Sequence, residues 1–271
     1  MTQFLRNIVI LLCAGIIFVQ PALAANRSTA PVGNDISYPQ CGSTYPTNQA
    51  FGIVGVNNGL ANTTNPCLSS ELSWASKSLG GTNQPPQQLY VNTANPGGLG
   101  TSSWPTSNVD PSGQIAPNPY GTCDGSNSIA CSWQYGWNRA VEDVQSRFIP
   151  AAQTAGISAN PSSYPWWLDV ETVNSWESNL QFNSADLEGM VAYLHSQGAS
   201  VGIYSTSAQW NQIAGTPSNG SNLNGLNNWL PGAHRLATAK SNCSLPPLTS
   251  GGKVTVTQYT SSSFDYDYSC L

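Results

Sequence analysis

Charge is scarce in this chain. Asp, Glu, Lys and Arg make up 8% of its 271 residues, and histidine occurs only twice. The formal net charge is −5, so nucleic acid and anionic lipid are poor partners. Long hydrophobic runs are missing beyond the N-terminus. The one continuous run, residues 8–19, is shorter than the ~20 residues a membrane-spanning helix needs. There is no Cys-x-x-Cys pair, and only His195 and His234 could assist the cysteines, so no zinc or other metal site is expected. No Gly-x-Ser-x-Gly elbow is present, which removes the common serine-hydrolase arrangement.

What is present points to export. Arg6 precedes the apolar run, and Ala22-Leu23-Ala24 has the small-x-small pattern that signal peptidase accepts. Residues 1–24 therefore read as a signal peptide cleaved after Ala24, and residues 25–271 as one domain long enough to bury a full core. The expected location is secreted, either extracellular or cell-wall associated, with no membrane span after cleavage. Without Arg6, 7 basic residues face 13 acidic ones. Asn, Ser, Thr and Gly are abundant, and 9 Trp and 11 Tyr exclude a disordered chain. A neutral, hydrogen-bonding surface with many aromatic plates suits uncharged sugars.

Of the 7 cysteines, Cys13 leaves with the signal peptide. The remaining Cys41, Cys67, Cys123, Cys131, Cys243 and Cys270 are an even set in an exported chain, which argues for three disulfides. Many pairings are open to six cysteines; Cys41–Cys67, Cys123–Cys131 and Cys243–Cys270 are favoured.

Eight β-rich runs recur, at residues 32–37, 51–56, 88–92, 166–171, 201–205, 235–239, 253–259 and 264–268. Several, such as Phe51-Gly52-Ile53-Val54-Gly55-Val56, are apolar without alternation, as strands buried on both faces of a parallel sheet are. Helical periods fall between some of them. Trp137, Val141, Val144, Phe148 and Ala151 recur at spacings of three and four within residues 132–155. A second helix is expected over 184–197, with Ser184 as N-cap and Gly198 as its stop, and a third near 69–78. This alternation predicts an α/β fold, a single irregular (β/α) TIM-like barrel. Its outer helices should be incomplete at the C-terminal end, where residues 239–253 have no helical period. About forty residues, 93–132, separate the third strand from its helix. So long a loop at the C-terminal end of a barrel strand is either functional or a surface excursion pinned by Cys123–Cys131. Trp104 and Tyr120 on it could stack on sugar rings.

The sharpest chemical feature is Trp166-Trp167-Leu168-Asp169-Val170-Glu171-Thr172. Asp169 and Glu171 are two apart on an expected strand, so both side chains share one face. If Leu168 and Val170 face the helices, both carboxylates project into the barrel near its rim. Two desolvated acids repel, which raises at least one pKa. Glycoside hydrolysis needs that outcome: one carboxyl protonated to donate, one ionised to stabilise a cationic transition state. Asp35 ends the first strand and Asp265 lies in the last, and a barrel brings those strands together. Asp35, Asp169, Glu171 and Asp265 are thus the candidate catalytic acids. Tyr204, Asn57, Asn92, Trp104 and Gln258 are the candidates for substrate binding.

Four motifs in order resemble a known family. Gly33, Asp35, Ser37 and Gln40 match an opening Gly-x-Asp-x-Ser followed by Gln. Asp169-Val170-Glu171 matches a central Asp-Val-Glu, and Gly202-Ile203-Tyr204 with Trp210 matches a Gly-Ile-Tyr strand and later Trp. Gln258-Tyr259 and Asp265-Tyr266-Asp267 match a closing Gln-Tyr and Asp-x-Asn. Over residues 32–268 the chain resembles the lysozyme-type glycoside hydrolases of family 25 and related secreted bacterial glycoside-hydrolase-like domains. The resemblance implies a muramidase-like enzyme acting on cell-wall polysaccharide, cleaving β-1,4 bonds after N-acetylmuramic acid in peptidoglycan with no cofactor. It implies Glu171 as general acid, Asp169 as the group that orients the substrate's N-acetyl, and Asp35 and Asp265 in the same pocket. The chain departs from the pattern at Val56-Asn57-Asn58-Gly59, where a Thr-Glu ending is common, and at Asp267, where Asn is usual. The alternative is a non-catalytic glycan-binding module on a degenerate barrel; the retained Asp169 and Glu171 argue against it. A chitinase-type Asp-x-x-Asp-x-Asp-x-Glu signature is absent, since Trp166, Trp167 and Leu168 fill those places.

Overall fold

The computed structural model describes residues 32–98, 101–261 and 264–271; the signal peptide expected at residues 1–24 lies outside the described residues. Eight strands close a barrel in chain order: β1 (Val32–Ile36), β2 (Gly52–Gly55), β3 (Gln87–Asn92), β4 (Pro165–Asp169), β5 (Ser200–Tyr204), β6 (Asn227–Ala233), β7 (Lys253–Ser261) and β8 (Phe264–Ser269). The first seven run parallel, but β8 is antiparallel to both β7 and β1. The expectation of parallel strands thus fails at the closing strand. So few residues separate β7 from β8 that no crossover fits, and only a hairpin can form.

Alternation along each strand divides the core in two. On β4, Trp166 and Leu168 pack outward with Phe148 and Val191, while Trp167 turns inward with Phe51, Ile53, Trp229 and Val256. The inner side chains fill the barrel, so it is a packed core with functional groups confined to one end. The Trp167 indole N–H is satisfied inside by Gln88 Oε1 at 2.8 Å.

Outside lie α1 (Leu68–Ala75), α2 (Ile129–Glu142), α3 (Ile149–Ala155), α4 (Leu180–Ser196), α5 (Ser207–Ile213) and α6 (Leu236–Asn242). Helices α2 and α4 approach so closely that a Cβ at Gly136 would overlap the Asp186 carbonyl, and one at Gly189 the Trp133 carbonyl. The helix expected over 132–155 is present but interrupted by a π-helical turn, Asp143–Phe148. Pro150 follows it and has no N–H to give a carbonyl one turn back, so a widened turn accommodates it.

Other boundaries differ from the sequence expectations. Helix α4 starts at Leu180, capped by Asn179, whose side chain accepts from Gln181 N; Ser184 instead donates to the Ala214 carbonyl. Residues 235–239 form no strand but open α6, of which only Ala239 is buried. The sixth strand is Asn227–Ala233, and a register shift between Leu230 and Ala233 absorbs Pro231 and Gly232. His234 consequently follows a strand rather than preceding one, and His195 lies in the last turn of α4. An outer helix is lacking between β7 and β8, as expected at the C-terminal end, but α6 runs to Asn242, into the 239–253 stretch where no helical period is visible. The β1–β2 link also has only a 3-10 turn, Tyr38–Gln40, a gap at the N-terminal side that was not expected.

Three disulfides form, Cys41–Cys67, Cys123–Cys131 and Cys243–Cys270. The second pins the long loop to α2. The later part of that loop is tied down at several points: Asn118 Nδ2 donates to the Ala130 carbonyl at 2.8 Å, Trp137 Nε1 to Asp110 at 3.1 Å, and Tyr120 OH to Glu188 at 2.5 Å.

Candidate active site

Strand direction decides what reaches the barrel mouth. Asp169 and Tyr204 are the last residues of β4 and β5, and Glu171 stands just beyond β4. Because β8 runs the other way, its early residue Asp265 reaches the same end and pairs in register with Asp35 of β1. Asp35, Tyr90, Asp169, Glu171, Tyr204, Trp229, Gln258 and Asp265 line one cavity of about 160 Å³. It lies at the C-terminal end of the parallel strands, where sites form in barrels of this type.

The structure brings together Asp35, Asp169, Glu171, Asp265, Tyr204 and Gln258. It does not bring in the other three candidates. Trp104 is buried against Tyr135 in a stacked pair, ring centroids 5.6 Å apart, beside Cys123 and Cys131. A buried indole so packed has no face for a sugar. Asn57 is buried, donating to Asp143 Oδ1 at 2.8 Å and accepting from the Asn92 backbone N–H at 2.8 Å, so it ties β3 to the π-helical turn. Asn92 lies beside it, away from the lining. Neither His195 nor His234 lines the cavity.

Tyr90 and Trp229 are lining residues that the sequence expectations missed. Period-two alternation could have found Tyr90, since Leu89 and Val91 pack outward on β3. Trp229 lay in a stretch not recognised as a strand.

A short chain of hydrogen bonds orders the floor. Tyr204 OH donates to Gln258 Oε1 at 2.9 Å, which turns the Gln258 amide so that Nε2 donates to Asp35 Oδ2 at 3.0 Å. Glu171 faces the Gln209 side chain, and its carbonyl accepts from Trp176 Nε1 at 2.8 Å, anchoring the residues after β4.

No lysine, arginine or histidine stands among the lining residues, so the acids have no counter-charge and cannot all ionise. Burial, followed by the Asp265 charge, raises Asp35 to about 7, while Gln258 and Asp267 act in the lowering direction. Burial and then the charges of Glu171 and Asp35 hold Asp169 well above the ordinary carboxylate range. Glu171 and Asp265 are raised chiefly by burial, with Gln209 partly offsetting this at Glu171. Burial thus pushes each acid of the site toward its protonated form, and a raised carboxyl beside others that it repels is the arrangement general acid catalysis at an acetal uses. Among the described residues, no group of three or more His, Cys, Asp and Glu is placed to hold a metal ion.

Comparison with known proteins places the chain near lysozyme-like proteins in sequence. A family model described as "Lysozyme-like protein 1" matches residues 151–229, which include Asp169, Glu171, Tyr204 and Trp229. The chain is 31% identical over 109 residues to "Probable GH family 25 lysozyme 4" of Dictyostelium discoideum, covering 35% of this chain and 48% of that protein. It is 40% identical over 55 residues to "Probable GH family 25 lysozyme 2" of the same organism, covering 20% of this chain and 26% of the relative. The chain therefore spans less than half the length of the curated relatives it matches. In fold it is similar to the Clostridium perfringens spore cortex lytic enzyme SleM, with a TM-score of 0.50 at 12% identity over 88% of this chain and 66% of that one. The chain is similar in sequence to the lysozyme-type glycoside hydrolases of family 25, and its eight strands close a barrel at whose mouth Asp35, Asp169, Glu171, Tyr204, Gln258 and Asp265 meet.

Proposed function

We propose that this protein is an exported glycoside hydrolase that cleaves β-1,4 bonds in cell-wall peptidoglycan by carboxylate acid catalysis. The observation that carries this is the cavity itself: Asp169 and Glu171 on one wall, Asp35 and Asp265 on the other, and no basic group between them. Glu171, partly open to solvent and held up in pKa by burial, donates its proton to the leaving glycosidic oxygen. Asp169 orients or stabilises the substrate's N-acetyl group, and the opposite acids stabilise positive charge developing at the anomeric carbon. Tyr90 and Tyr204, both partly open and both lining the cavity, offer aromatic surface to the sugar, and Trp229 backs them from the core. No metal or organic cofactor takes part in this scheme.

Export is supported by the residue pattern at 1–24 and by three disulfides, which persist in oxidising compartments. Among the described residues no helix is long and apolar enough to cross a membrane. The test is to incubate the mature protein with purified peptidoglycan and identify the released fragments by mass. Fragments ending in reducing N-acetylmuramic acid support the proposal. Binding without release supports a glycan-binding module in its place.

A further inference from the structure

Beneath the cavity lies an acid that the catalytic scheme does not use. Asp267 is on β8, two residues past Asp265 and in register with Gly33 of β1 and Gln258 of β7. It has no solvent exposure, and among the described residues neither carboxyl oxygen completes a hydrogen bond to a donor. Leaving an ionised carboxylate so buried and unpaired is strongly unfavourable.

Its surroundings explain how this is resolved. From β1 the Asp35 carboxyl lies against it, from β8 the charge of Asp265 is near, from β6 comes the Trp229 indole, and from β7 the Tyr259 phenol. No cation is among these groups. Two carboxylates in contact are two acceptors and cannot bond; with one proton between them they form a strong hydrogen bond. Burial and the Gln258 amide together decide which acid keeps the proton. Its Oε1 is taken by Tyr204 OH, so its Nε2 must donate to Asp35 Oδ2. Asp35 therefore already accepts from the Gln258 amide and opens onto the cavity, whereas fully buried Asp267 has only the Trp229 indole beside it, too loosely placed to complete a hydrogen bond, so the proton rests on Asp267.

We propose that Asp267 is a positioning residue that keeps its proton at neutral pH and donates it to Asp35. Asp35 then has two fixed donors, Gln258 from β7 and Asp267 from β8, and turns a carboxylate toward the cavity that burial and Asp265 would otherwise keep protonated. This rests on the reading of the cavity as the glycan-cleaving site, in which Asp35 stabilises positive charge.

Two variants separate the proton from the shape. Asp267→Asn keeps a donor of the same size, and Asp267→Val removes it. Infrared difference spectra of wild type minus Asp267→Asn at pH 7 should contain one protonated-carboxyl carbonyl band. On peptidoglycan, Asp267→Asn should keep cleavage within a few-fold of wild type. Asp267→Val should lower kcat with KM little changed. It should also move the acid limb of the kcat/KM profile up by about one pH unit or more, because Asp35 loses a charge-assisted hydrogen bond. Absence of the infrared band, or an unmoved acid limb in a folded Asp267→Val, overturns the proposal. Should Asp267→Val fail to fold, the band decides alone. Because the band needs no turnover, a wild type that cleaves nothing refutes the catalytic reading without touching the proton on Asp267.

Discussion

Glu71 gives a stability prediction that is independent of any substrate. It lies in the first turn of α1 with no solvent exposure; Oε2 accepts from Asn65 Nδ2 at 2.6 Å, and Oε1 has no partner among the described residues. Burial, partly offset by Asn65, raises its pKa from 4.5 to about 7. Below pH 4.5 both folded and unfolded chains hold this proton. Between pH 4.5 and about 7 the unfolded chain releases it while the folded chain keeps it, so folding stability falls as pH rises; above 7 the loss is complete. At about 1.4 kcal/mol per pH unit, the window from 4.5 to about 7 amounts to roughly 3–4 kcal/mol. Glu71→Gln keeps the acceptor for Asn65 and cannot ionise. The variant should match wild type at pH 4 and exceed it by that amount at pH 8. For a domain of this size the gain is roughly 6–15 °C in Tm. Thermal or guanidinium unfolding of both proteins across pH 4–8 measures it. A difference between the two that stays constant with pH refutes the reasoning.

Three further outcomes follow from the packing. Trp104→Ala should destabilise by ~3–5 kcal/mol, as loss of a buried aromatic does, while the glycan affinity of the folded fraction stays unchanged; weakened affinity at full stability would return Trp104 to the sugar. Protein from an oxidising host should show no free thiol under denaturing conditions, and losing any one bridge should lower stability by ~2–5 kcal/mol; two or more thiols in the unreduced protein would contradict the pairing. Gln258→Leu strips Asp35 and Tyr204 OH of their shared partner and should reduce kcat/KM roughly 10–100-fold; an unaffected rate would show that the chain of hydrogen bonds is dispensable.

Much of this arrangement is legible in the residues, for identifiable reasons. β4 declares itself because Leu168 and Val170 alternate with Trp167, Asp169 and Glu171, and period two alone puts both acids on one face. The closing motif Gln258-Tyr259 with Asp265-Tyr266-Asp267 is also readable, but not the reversal of β8 that carries Asp265 to the rim. β6 is disguised by Asn227, Asn228 and the Pro231-Gly232 bulge, whereas Arg235-Leu236-Ala237-Thr238-Ala239 mimics a strand in a segment too exposed to be one. Trp104 misleads because an aromatic on a long polar loop looks available. Only the fold reveals that Tyr135 on α2 covers it. Asn57 and Asn92 mislead similarly: they sit near strand ends, yet the Asn57 amide is consumed by Asp143 and by the Asn92 backbone N–H, and Asn92 lies buried beside it, outside the cavity lining. Asp267 is visible in the sequence, but its burial against Asp35 is a property of strand register.

The most direct measurement of the central claim compares peptidoglycan cleavage by wild type, Glu171→Gln and Asp169→Asn, with glycan binding followed in parallel. Glu171→Gln preserves size and hydrogen-bonding reach but removes the proton, so cleavage should fall by ~10²–10⁴ while binding hardly changes. Asp169→Asn should also impair cleavage, and the two losses should not add, because the pair acts as a unit. A wild type that releases no fragments, or a Glu171→Gln variant that cleaves as fast as wild type, would contradict the account.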